Sequence, residues 1–333
     1  MQRFTGLDAV PVGFGPSVVT IGNFDGVHRG HQAVLASVVD AARRRGVPAV
    51  AVTFDPHPRA VLRPESAPPV LTTTEDRLRL LEAAGLDAVL LIAFTLEFAQ
   101  WSPERFVREV FVDALHAQAV VVGRDTRFGH RNSGDLGTLR ELGEKLGFEV
   151  EVVEEFGPVQ GDAEADGRRR WSSSWVRQLL AAGDVAAAAE ILGRPHRVVG
   201  VVVHGDHRGR ELGYPTANLA QDAVGQIPAD GVYAGRLVRP ALPPGAPDAV
   251  LPAAISVGTN PTFDGTQRRV EAYVLDRDDL DLYGERVAVE FVERLRPTLR
   301  FDGVEALVEQ MSADVARSRH VLGVAEPSRP PVS

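Results

Sequence analysis

The spacing of apolar segments changes once along the chain, near residue 192, and this change constrains the fold more than any other feature. Up to about residue 185, apolar runs such as "AVAVTF" and "AVLLIAF" alternate with stretches of helical periodicity, which is typical of a parallel α/β sheet. From Val198 onward the apolar segments are short, alternate with polar residues and are separated by glycine and proline. That second pattern favours a small antiparallel barrel.

The chain of 333 residues has room for two domains of this kind. We expect a Rossmann-like parallel α/β domain over 1–192, a small antiparallel β-barrel domain with a C-terminal helix over 193–325, and a flexible tail over 326–333. The strands predicted for the α/β domain are "SVVTIGNF", "AVAVTF", "AVLLIAF", "AVVVG" and "FEVEVVEE".

Charge and residue usage exclude several classes of function. The formal net charge of −9 offers no concentration of positive charge, so we expect no nucleic-acid partner. No cysteine is present, which excludes thiolate nucleophiles and agrees with a reducing compartment. The chain starts without a signal pattern, and no segment reaches the ~18 apolar residues of a membrane span. We therefore expect a cytoplasmic protein without a membrane partner.

A P-loop is excluded as well. Lys145 is the only lysine of the chain, and it lies in the amphipathic stretch "LRELGEKLG". The P-loop motif needs a lysine directly after its glycine-rich turn. If the protein uses nucleoside triphosphates, another architecture binds them.

Four polar, glycine-marked segments follow predicted strands of the first domain. They are "GNFDGVHRGH", "DPHPR", "GRDTRFG" and "WSSSWVR", the last of which opens a helix. In parallel α/β sheets ligands bind beyond the carboxyl ends of the strands. Four such segments at one edge predict a binding site there.

His28 and His31 stand at the turn into a predicted helix, where unpaired backbone N–H groups and the helix dipole attract phosphate. Imidazoles donate hydrogen bonds to phosphate, and Gly30 lets a ligand approach the backbone. Taken alone, the pair is equally compatible with a structural role, whereas a metal site lacks a third ligand at helical spacing. The serines of "WSSSW" either cap their helix or, with Arg177, bind a triphosphate.

The second half contains "HGDHRGRELGYPTANL", a glycine-rich basic loop before a short extended segment. If that segment is extended, Thr216 and Asn218 point the same way and offer oxygen ligands to one magnesium ion, although an ordinary polar turn is the simpler explanation. In "VEAYVLD", Glu271 lies on the strand face opposite Val270 and Ala272. A kinase that acts on an alcohol needs a group that accepts the hydroxyl proton, and Glu271 is the candidate.

The first-half motifs resemble the adenylyltransferase module of bacterial bifunctional riboflavin kinase/FAD synthetases. The resemblance rests on "GNFDGVHRGHQ", "TFDPHP", "VGRDTRFG" and "SSSWVR". The H-x-G-H core belongs to a broad nucleotidyltransferase superfamily and indicates the reaction class only, whereas the longer string is more specific. The resemblance implies transfer of AMP from ATP to FMN, which yields FAD and pyrophosphate.

By this resemblance, His28 and His31 contact the ATP phosphates and stabilise the charge of the departing pyrophosphate. The implied residues for ATP and phosphate are Gly22, Asn23, Phe24, Gly30, Asp125, Ser173, Ser174 and Arg177, and those for the flavin are Phe54, Asp55, Pro56, His57, Pro58 and Phe128. The family more often has threonine at position 174.

The second-half strings "GYPTANL", "GVYA", "SVGTNPTF", "VEAYVLD", "DLYG" and "VEFVERLRP" occur in this order and resemble the riboflavin kinase module of the same family. The resemblance implies that Thr216 and Asn218 hold Mg²⁺ with ATP and that Glu271 is the base toward the ribityl 5′-hydroxyl. The loop residues that it implies for the phosphates are Gly205, Arg208, Gly209 and Arg210.

Together these features predict two ATP-dependent transferases in one chain, one that converts riboflavin to FMN and one that converts FMN to FAD. Magnesium is the expected ion of both, because a bound metal offsets triphosphate charge. Two alternatives stay open: the first module uses a different acceptor, or the protein binds flavin without turnover. A homo-oligomer is also left open.

Overall fold

The structure of the protein, a computed structural model, describes residues 1–154, 171–205, 213–259 and 268–325. Internal contacts divide the chain into two units, Met1–Pro68 with Thr74–Ser172 and Pro69–Thr73 with Ser173–Ser333. The expected tail over 326–333 lies outside the described residues.

The first unit is a parallel sheet with helices between its strands. Its strands are β1 (Gln2–Thr5), β2 (Ser17–Ile21), β3 (Ala49–Asp55), β4 (Ala88–Ala93), β5 (Ala117–Gly123) and β6 (Glu149–Val153). Its helices are α1 (Arg29–Arg45), α2 (Pro58–Leu62), α3 (Thr74–Ala83), α4 (Pro103–Phe106), which continues as a π-helix over Val107–Ala114, and α5 (Leu136–Leu146). The strand order is β1-β4-β3-β2-β5-β6, every pairing is parallel, and the expected α/β class is confirmed.

The central strands of this sheet are buried on both faces. β2 and β3 consist almost entirely of buried residues, as in "AVAVTF", because helices cover both sides of a parallel sheet. Strand β1 was not expected from the sequence. It has four residues, of which only Phe4 is buried, and it pairs with β4 at the edge of the sheet.

The start and end of α1 follow from its sequence. The imidazole of His28 caps the first turn by accepting a hydrogen bond from the N–H of His31. Gly46 ends the helix in the left-handed conformation (φ 66°), which costs glycine little. The arginines at 43–45 place positive charge at the carboxyl end of the helix dipole.

The second unit is a closed antiparallel barrel with helices before and after it. Its elements are α6 (Ser173–Ala182), α7 (Val185–Leu192), β7 (His196–Val203), β8 (Thr216–Leu219), β9 (Gly231–Val238), β10 (Val250–Thr259), β11 (Arg268–Val274), β12 (Arg286–Arg296) and a C-terminal helix α8 (Val304–Leu322). The strand order around the barrel is β10-β11-β8-β7-β12-β9. The expected barrel with a following helix is confirmed.

Helices α6 and α7 are grouped with the barrel, whereas the sequence expectation placed 173–192 in the first domain. Hydrogen bonds to residues much further along the chain, in and beside the barrel, join α6 to this unit. Ala229 donates its N–H to the carbonyl of Leu180 at 3.0 Å, and Arg294 Nη1 donates to the carbonyl of Ala182 at 3.3 Å. A domain boundary near Leu192 stays a prediction.

Helix α8 is fastened to the barrel by a largely buried ion pair. Arg296, at the end of β12, donates from Nε to Asp314 Oδ1 at 2.9 Å and from Nη2 to Asp314 Oδ2 at 2.6 Å. Gln310 donates a further hydrogen bond to Asp314 Oδ1 at 3.0 Å. Such a bidentate pair fixes the orientation of α8, because both partners are planar. Among the described residues, no helix is both long and apolar enough to cross a lipid bilayer.

Removal of the Asp314 carboxylate should weaken the second unit strongly. We expect Asp314→Ala to lower the free energy of unfolding by about 3 kcal/mol, because it leaves the Arg296 guanidinium buried without its counter-charge. Urea unfolding followed by far-UV circular dichroism measures the change.

Glu293→Ala is the matched control. Glu293 joins the same strand and helix through an exposed ion pair with Arg317 at 3.6 Å. Its loss should cost less than about 1 kcal/mol. Equal effects of the two substitutions would contradict the structural importance of the buried pair.

Candidate functional site

The loop after β2 turns sharply before α1. Gly22, Asn23 and Phe24 follow the strand directly, and both Phe24 (φ 48°) and Val27 (φ 37°) adopt left-handed backbone angles. The Phe24 ring is buried, and a Cβ on Gly22 would lie 3.0 Å from it. Glycine at position 22 therefore lets the ring fold back under the loop.

His28 and His31 form a stacked pair at the start of α1. Their ring centroids are 3.7 Å apart with an angle of 19° between the planes, and the ring of Phe24 packs edge-on against His31 at 5.3 Å. His28 is 5% exposed, and its Nδ1 accepts the N–H of His31 at 3.3 Å. A neutral His28 ring therefore carries its proton on Nε2. A Cβ on Gly30 would lie 3.1 Å from the His28 ring, so glycine there leaves room for this arrangement.

The loop after β3 carries the segment expected to contact a flavin. Phe54 and Asp55 end the strand, and Phe54 is 8% exposed. His57 caps the short helix α2 by accepting the N–H of Arg59 at Nδ1, 3.1 Å away, and Pro58 is the first helical residue. Pro56 lies between these groups. The imidazole of His57 thus organises its own loop.

The segment after β5 carries two more of the residues that the sequence predicts at this edge, Asp125 and Phe128. Asp125 is exposed, and the neighbouring Thr126 donates to the carbonyl of Gly123 through Oγ1 at 2.8 Å. Phe128 is buried and packs on Phe106 with ring centroids 6.0 Å apart.

An aromatic cluster that the sequence reasoning missed adjoins Phe54. Phe98 lies 5.9 Å from Phe54 and 4.8 Å from Trp101 between ring centroids, and Arg105 stacks on Trp101 at 4.0 Å. Phe94 packs on both phenylalanines. The spacing of the aromatics in "AFTLEFAQW" was the available signal. These rings offer a partly buried apolar surface beside the predicted flavin loop.

Ser173, Ser174 and Arg177 belong to the second unit. The two serines open α6, and Arg177 donates from Nε to the carbonyl of Pro69 at 2.8 Å. The carbonyl of Arg177 accepts a hydrogen bond from Gln226 Nε2, also at 2.8 Å. The sequence expectation joined these residues with the histidine pair at one nucleotide, and that joint role stays a prediction.

Thr216, Asn218 and Glu271 meet on adjacent strands of the barrel. In the register of β8 and β11, Asn218 pairs with Glu271 and Thr216 with Tyr273. Asn218 Nδ2 donates to Thr216 Oγ1 at 3.1 Å, and Thr216 Oγ1 donates to Glu271 Oε2 at 3.5 Å. A hydroxyl, an amide and a carboxylate thus stand side by side on one face of the sheet.

Gly205 lies close to this group. A Cβ at that position would lie 2.6 Å from the Asn218 side chain, so a larger residue there would displace Asn218. The other expected loop residues, Arg208, Gly209 and Arg210, lie outside the described residues.

A cavity of about 360 Å³ in the second unit opens beside Thr216 and Glu271. This volume is at the low end of the range for pockets that hold small organic ligands. Apolar side chains from β10 and α8 line it, and the Arg296–Asp314 pair forms part of its wall. The lining residues include Tyr214, Val232, Ile255, Tyr273, Leu299, Phe301, Leu307, Met311 and Val315.

Burial raises the pKa of the Tyr273 phenol, and the nearby Asp276 and Tyr214 act in the same direction. Tyr273 therefore stays neutral in the cavity wall and offers a hydroxyl donor. Within the described ranges, no group of three or more histidine and acidic side chains could hold a metal ion.

Comparison with known proteins agrees with this division into two units. The family model described as FAD synthetase matches residues 14–164, and the model described as riboflavin kinase matches residues 192–322.

Curated relatives match over nearly the whole chain. The bifunctional riboflavin kinase/FMN adenylyltransferase of Pseudomonas fluorescens is 38% identical over 320 residues, which cover 96% of this chain and 97% of that protein. The protein of the same description from Escherichia coli K12 is 35% identical over 312 residues, with 93% and 94% covered.

A solved structure has the same fold over almost its full length. It is titled as a macrolide-efflux protein from Streptococcus pneumoniae, has a TM-score of 0.81 and 31% identity, and is matched over 96% of this chain and 99% of that chain. The efflux function named in that title refers to the Streptococcus pneumoniae protein and is not transferred to this chain.

The raised pKa of Tyr273 predicts a change in stability at high pH. In the unfolded chain the Tyr273 phenol loses its proton near pH 10.0, whereas in the folded chain it does so at a higher pH. Ionisation of Tyr273 therefore favours the unfolded chain, and the free energy of unfolding decreases as the pH rises above 10.0. Tyr273→Phe should therefore gain stability relative to the unsubstituted chain between about pH 8 and about pH 11. The urea concentration at the midpoint of unfolding is measured for both proteins at the two pH values. A difference between the two proteins that is the same at both pH values would contradict the prediction.

Proposed function

Because the chain belongs to the family of bifunctional riboflavin kinase/FMN adenylyltransferases, we propose that it makes FAD from riboflavin in two ATP-dependent steps. The barrel phosphorylates riboflavin to FMN, and the α/β unit adenylylates FMN to FAD. The observation that carries the proposal is that each unit contains its own set of polar side chains suited to one of the two reactions. The stacked His28 and His31 lie in the unit matched by the FAD synthetase model, and the Thr216, Asn218 and Glu271 group lies in the unit matched by the riboflavin kinase model.

In the adenylyl transfer, a phosphate oxygen of FMN attacks the α-phosphorus of ATP. The bond from that phosphorus to the bridging oxygen breaks, and pyrophosphate leaves. The attacking phosphate is already an anion, so the step needs no base. His28 and His31 donate hydrogen bonds to the triphosphate at the positive end of α1, where developing negative charge is stabilised. The flavin lies against the loop over 54–58 and Phe128.

In the kinase step, the ribityl 5′-hydroxyl attacks the γ-phosphorus of ATP, the bond to the β-phosphate oxygen breaks, and ADP leaves. Glu271 accepts the hydroxyl proton. The isoalloxazine lies in the cavity of about 360 Å³, whose apolar lining suits a flat aromatic ligand.

The side chains beside Glu271 fit a magnesium ion. Mg²⁺ prefers oxygen ligands and usually keeps several waters or phosphate oxygens. Thr216 Oγ1 and the Asn218 amide oxygen would supply two such ligands on one strand face, with the amide turned so that its oxygen replaces Nδ2 beside Thr216. The second unit contains no lysine, since Lys145 lies in the first unit. A bound Mg²⁺ supplies charge compensation for the phosphates.

The remaining expectations are part of the same proposal. The enzyme works in the cytoplasm, which the absence of cysteine supports. Association with further copies of the chain stays a prediction, and light scattering on the purified protein measures the mass in solution.

Incubation with riboflavin, ATP and Mg²⁺ should yield FMN, FAD, ADP and pyrophosphate, resolved by chromatography. A chain that forms no FAD even from supplied FMN would exclude FMN as the acceptor of the first unit. A chain that binds flavin without forming either product would be a binding protein.

Substitutions in one unit should leave the other reaction intact. Glu271→Gln should lower the rate of FMN formation about 100-fold or more, because the hydroxyl proton loses its acceptor. It should still convert FMN to FAD. The double variant His28→Ala and His31→Ala should stop at FMN. The activity that each variant retains shows that its unsubstituted unit is folded, and circular dichroism checks the substituted unit. A folded variant that loses both activities would contradict separate sites.

Loss of the proposed ligands should appear as a changed metal requirement. Thr216→Ala combined with Asn218→Ala should raise the Mg²⁺ concentration for half-maximal FMN formation about tenfold or more, because two oxygen ligands are removed. The Mg²⁺ dependence of FAD formation from FMN should not change. An unaltered metal requirement for FMN formation would exclude these two residues as ligands.

A further inference from the structure

Arg77 of α3 has an unusual position for an arginine in an amphipathic helix. Arg77 as a whole residue is only 6% exposed. By contrast, the side chain of Arg79, two positions further along, is 52% exposed and pairs with Glu75. Arginine is rarely buried without specific partners. The partners of Arg77 therefore indicate what its burial accomplishes.

The Arg77 guanidinium joins the nucleotide loop to the end of β3, the strand from which the flavin loop leaves the sheet. Nη1 donates to the carbonyl of Asn23 at 3.1 Å, and Nη2 donates to the carbonyl of Phe54 at 2.9 Å. Asn23 follows β2 in the nucleotide loop (22–28), and Phe54 is the last but one residue of β3, directly before the flavin loop (56–58). One planar side chain thus connects the backbone of the nucleotide loop to the strand end that leads into the flavin loop.

The surroundings of Arg77 favour this bridge over a surface interaction. Thr53 Oγ1 donates to the same Asn23 carbonyl at 3.2 Å, so this oxygen accepts two hydrogen bonds. Burial lowers the pKa of Arg77, and the charges of Asp55 and Asp25 act in the opposite direction. A guanidinium keeps its proton in proteins, and hydrogen bonds from a charged donor are stronger than neutral ones.

We propose that Arg77 is a positioning residue for adenylyl transfer, which sets the separation between the nucleotide loop and the flavin loop and thereby aligns the phosphate of FMN with the α-phosphorus of ATP. This inference rests on the proposed function of the first unit. Alignment of two bound reactants contributes strongly to rate, and a displacement of about 1 Å can cost about 100-fold. Arg77 itself contacts backbone carbonyls and acts through the loops.

The test is steady-state kinetics of FAD formation from FMN by the full-length chain. Arg77→Met keeps the length of the side chain and removes both donors. We expect kcat to fall about 100-fold with KM changed less than about threefold, because misalignment affects the reacting geometry more than the binding of either substrate. Arg79→Met is the matched control on the same helix and should keep both parameters.

Two readouts separate positioning from a loss of folded protein. FMN formation from riboflavin reports on the second unit and should be unchanged in Arg77→Met. Titration with FAD should count the same number of binding sites per chain as in the unsubstituted protein. A fall in the number of FAD sites that accounts for the whole loss of kcat would overturn the proposal and leave a structural role.

If Arg77→Met does not fold, Arg77→Lys decides the question. Lysine keeps the charge but cannot span both carbonyls with a planar fork, so kcat should fall at least about tenfold with all FAD sites retained. An unchanged kcat in either folded variant would overturn the proposal. An unsubstituted chain that makes no FAD would instead refute the proposed function, so the two failures are distinguishable.

Discussion

In the first unit β2 pairs in parallel with β3 on one side and with β5 on the other, so three strands end together at one edge of the sheet. Parallel pairing forces each chain segment to leave the sheet on the same side, and the polar loops that follow the strands are therefore neighbours. The histidine pair at the start of α1 and the flavin loop both depend on this constraint. Burial of the strands on both faces by apolar residues makes their registers stable.

Backbone hydrogen bonds define where the strands end, but they do not set how far apart the loops lie beyond them. Arg77 supplies that link, since its two donors reach a carbonyl in the loop after β2 and a carbonyl at the end of β3. Its burial gives the link strength, because a charged donor interacts more strongly away from water. The proposed alignment of ATP with FMN thus depends on a side chain from a third element, helix α3.

The reaction proposed for the barrel has an alcohol as its nucleophile, and its site therefore needs other side chains than the site of the first unit. An alcohol must lose a proton when it attacks a phosphorus atom, whereas a phosphate need not, and the proposed kinase site accordingly contains a carboxylate. Register between β8 and β11 places Glu271 opposite Asn218, and hydrogen bonds through Thr216 connect the three side chains. Helix α8, fixed by Arg296 and Asp314, completes the cavity beside them.

Much of this could be predicted from sequence, because periodicity and turn residues are local. The change from helical to alternating patterns near residue 192 indicated both architectures, and the motifs around His28 and Glu271 indicated the chemistry of each unit. Strand β1 was missed because four residues carry too little pattern, and its pairing with β4 depends on the rest of the sheet. Phe98 and Trp101 were missed because an aromatic spacing does not show which neighbours it will meet.

The sequence by itself determined the two fold classes and the residue types available for phosphoryl and nucleotidyl transfer, since these follow from local periodicity and side-chain chemistry. Only the tertiary structure decided which groups act together. Arg77 and Arg79 look equivalent in "EDRLRLLE", and packing of α3 buries one beside two backbone carbonyls and leaves the other in solvent. Register and burial depend on contacts between residues far apart in the chain, and local patterns do not contain that information.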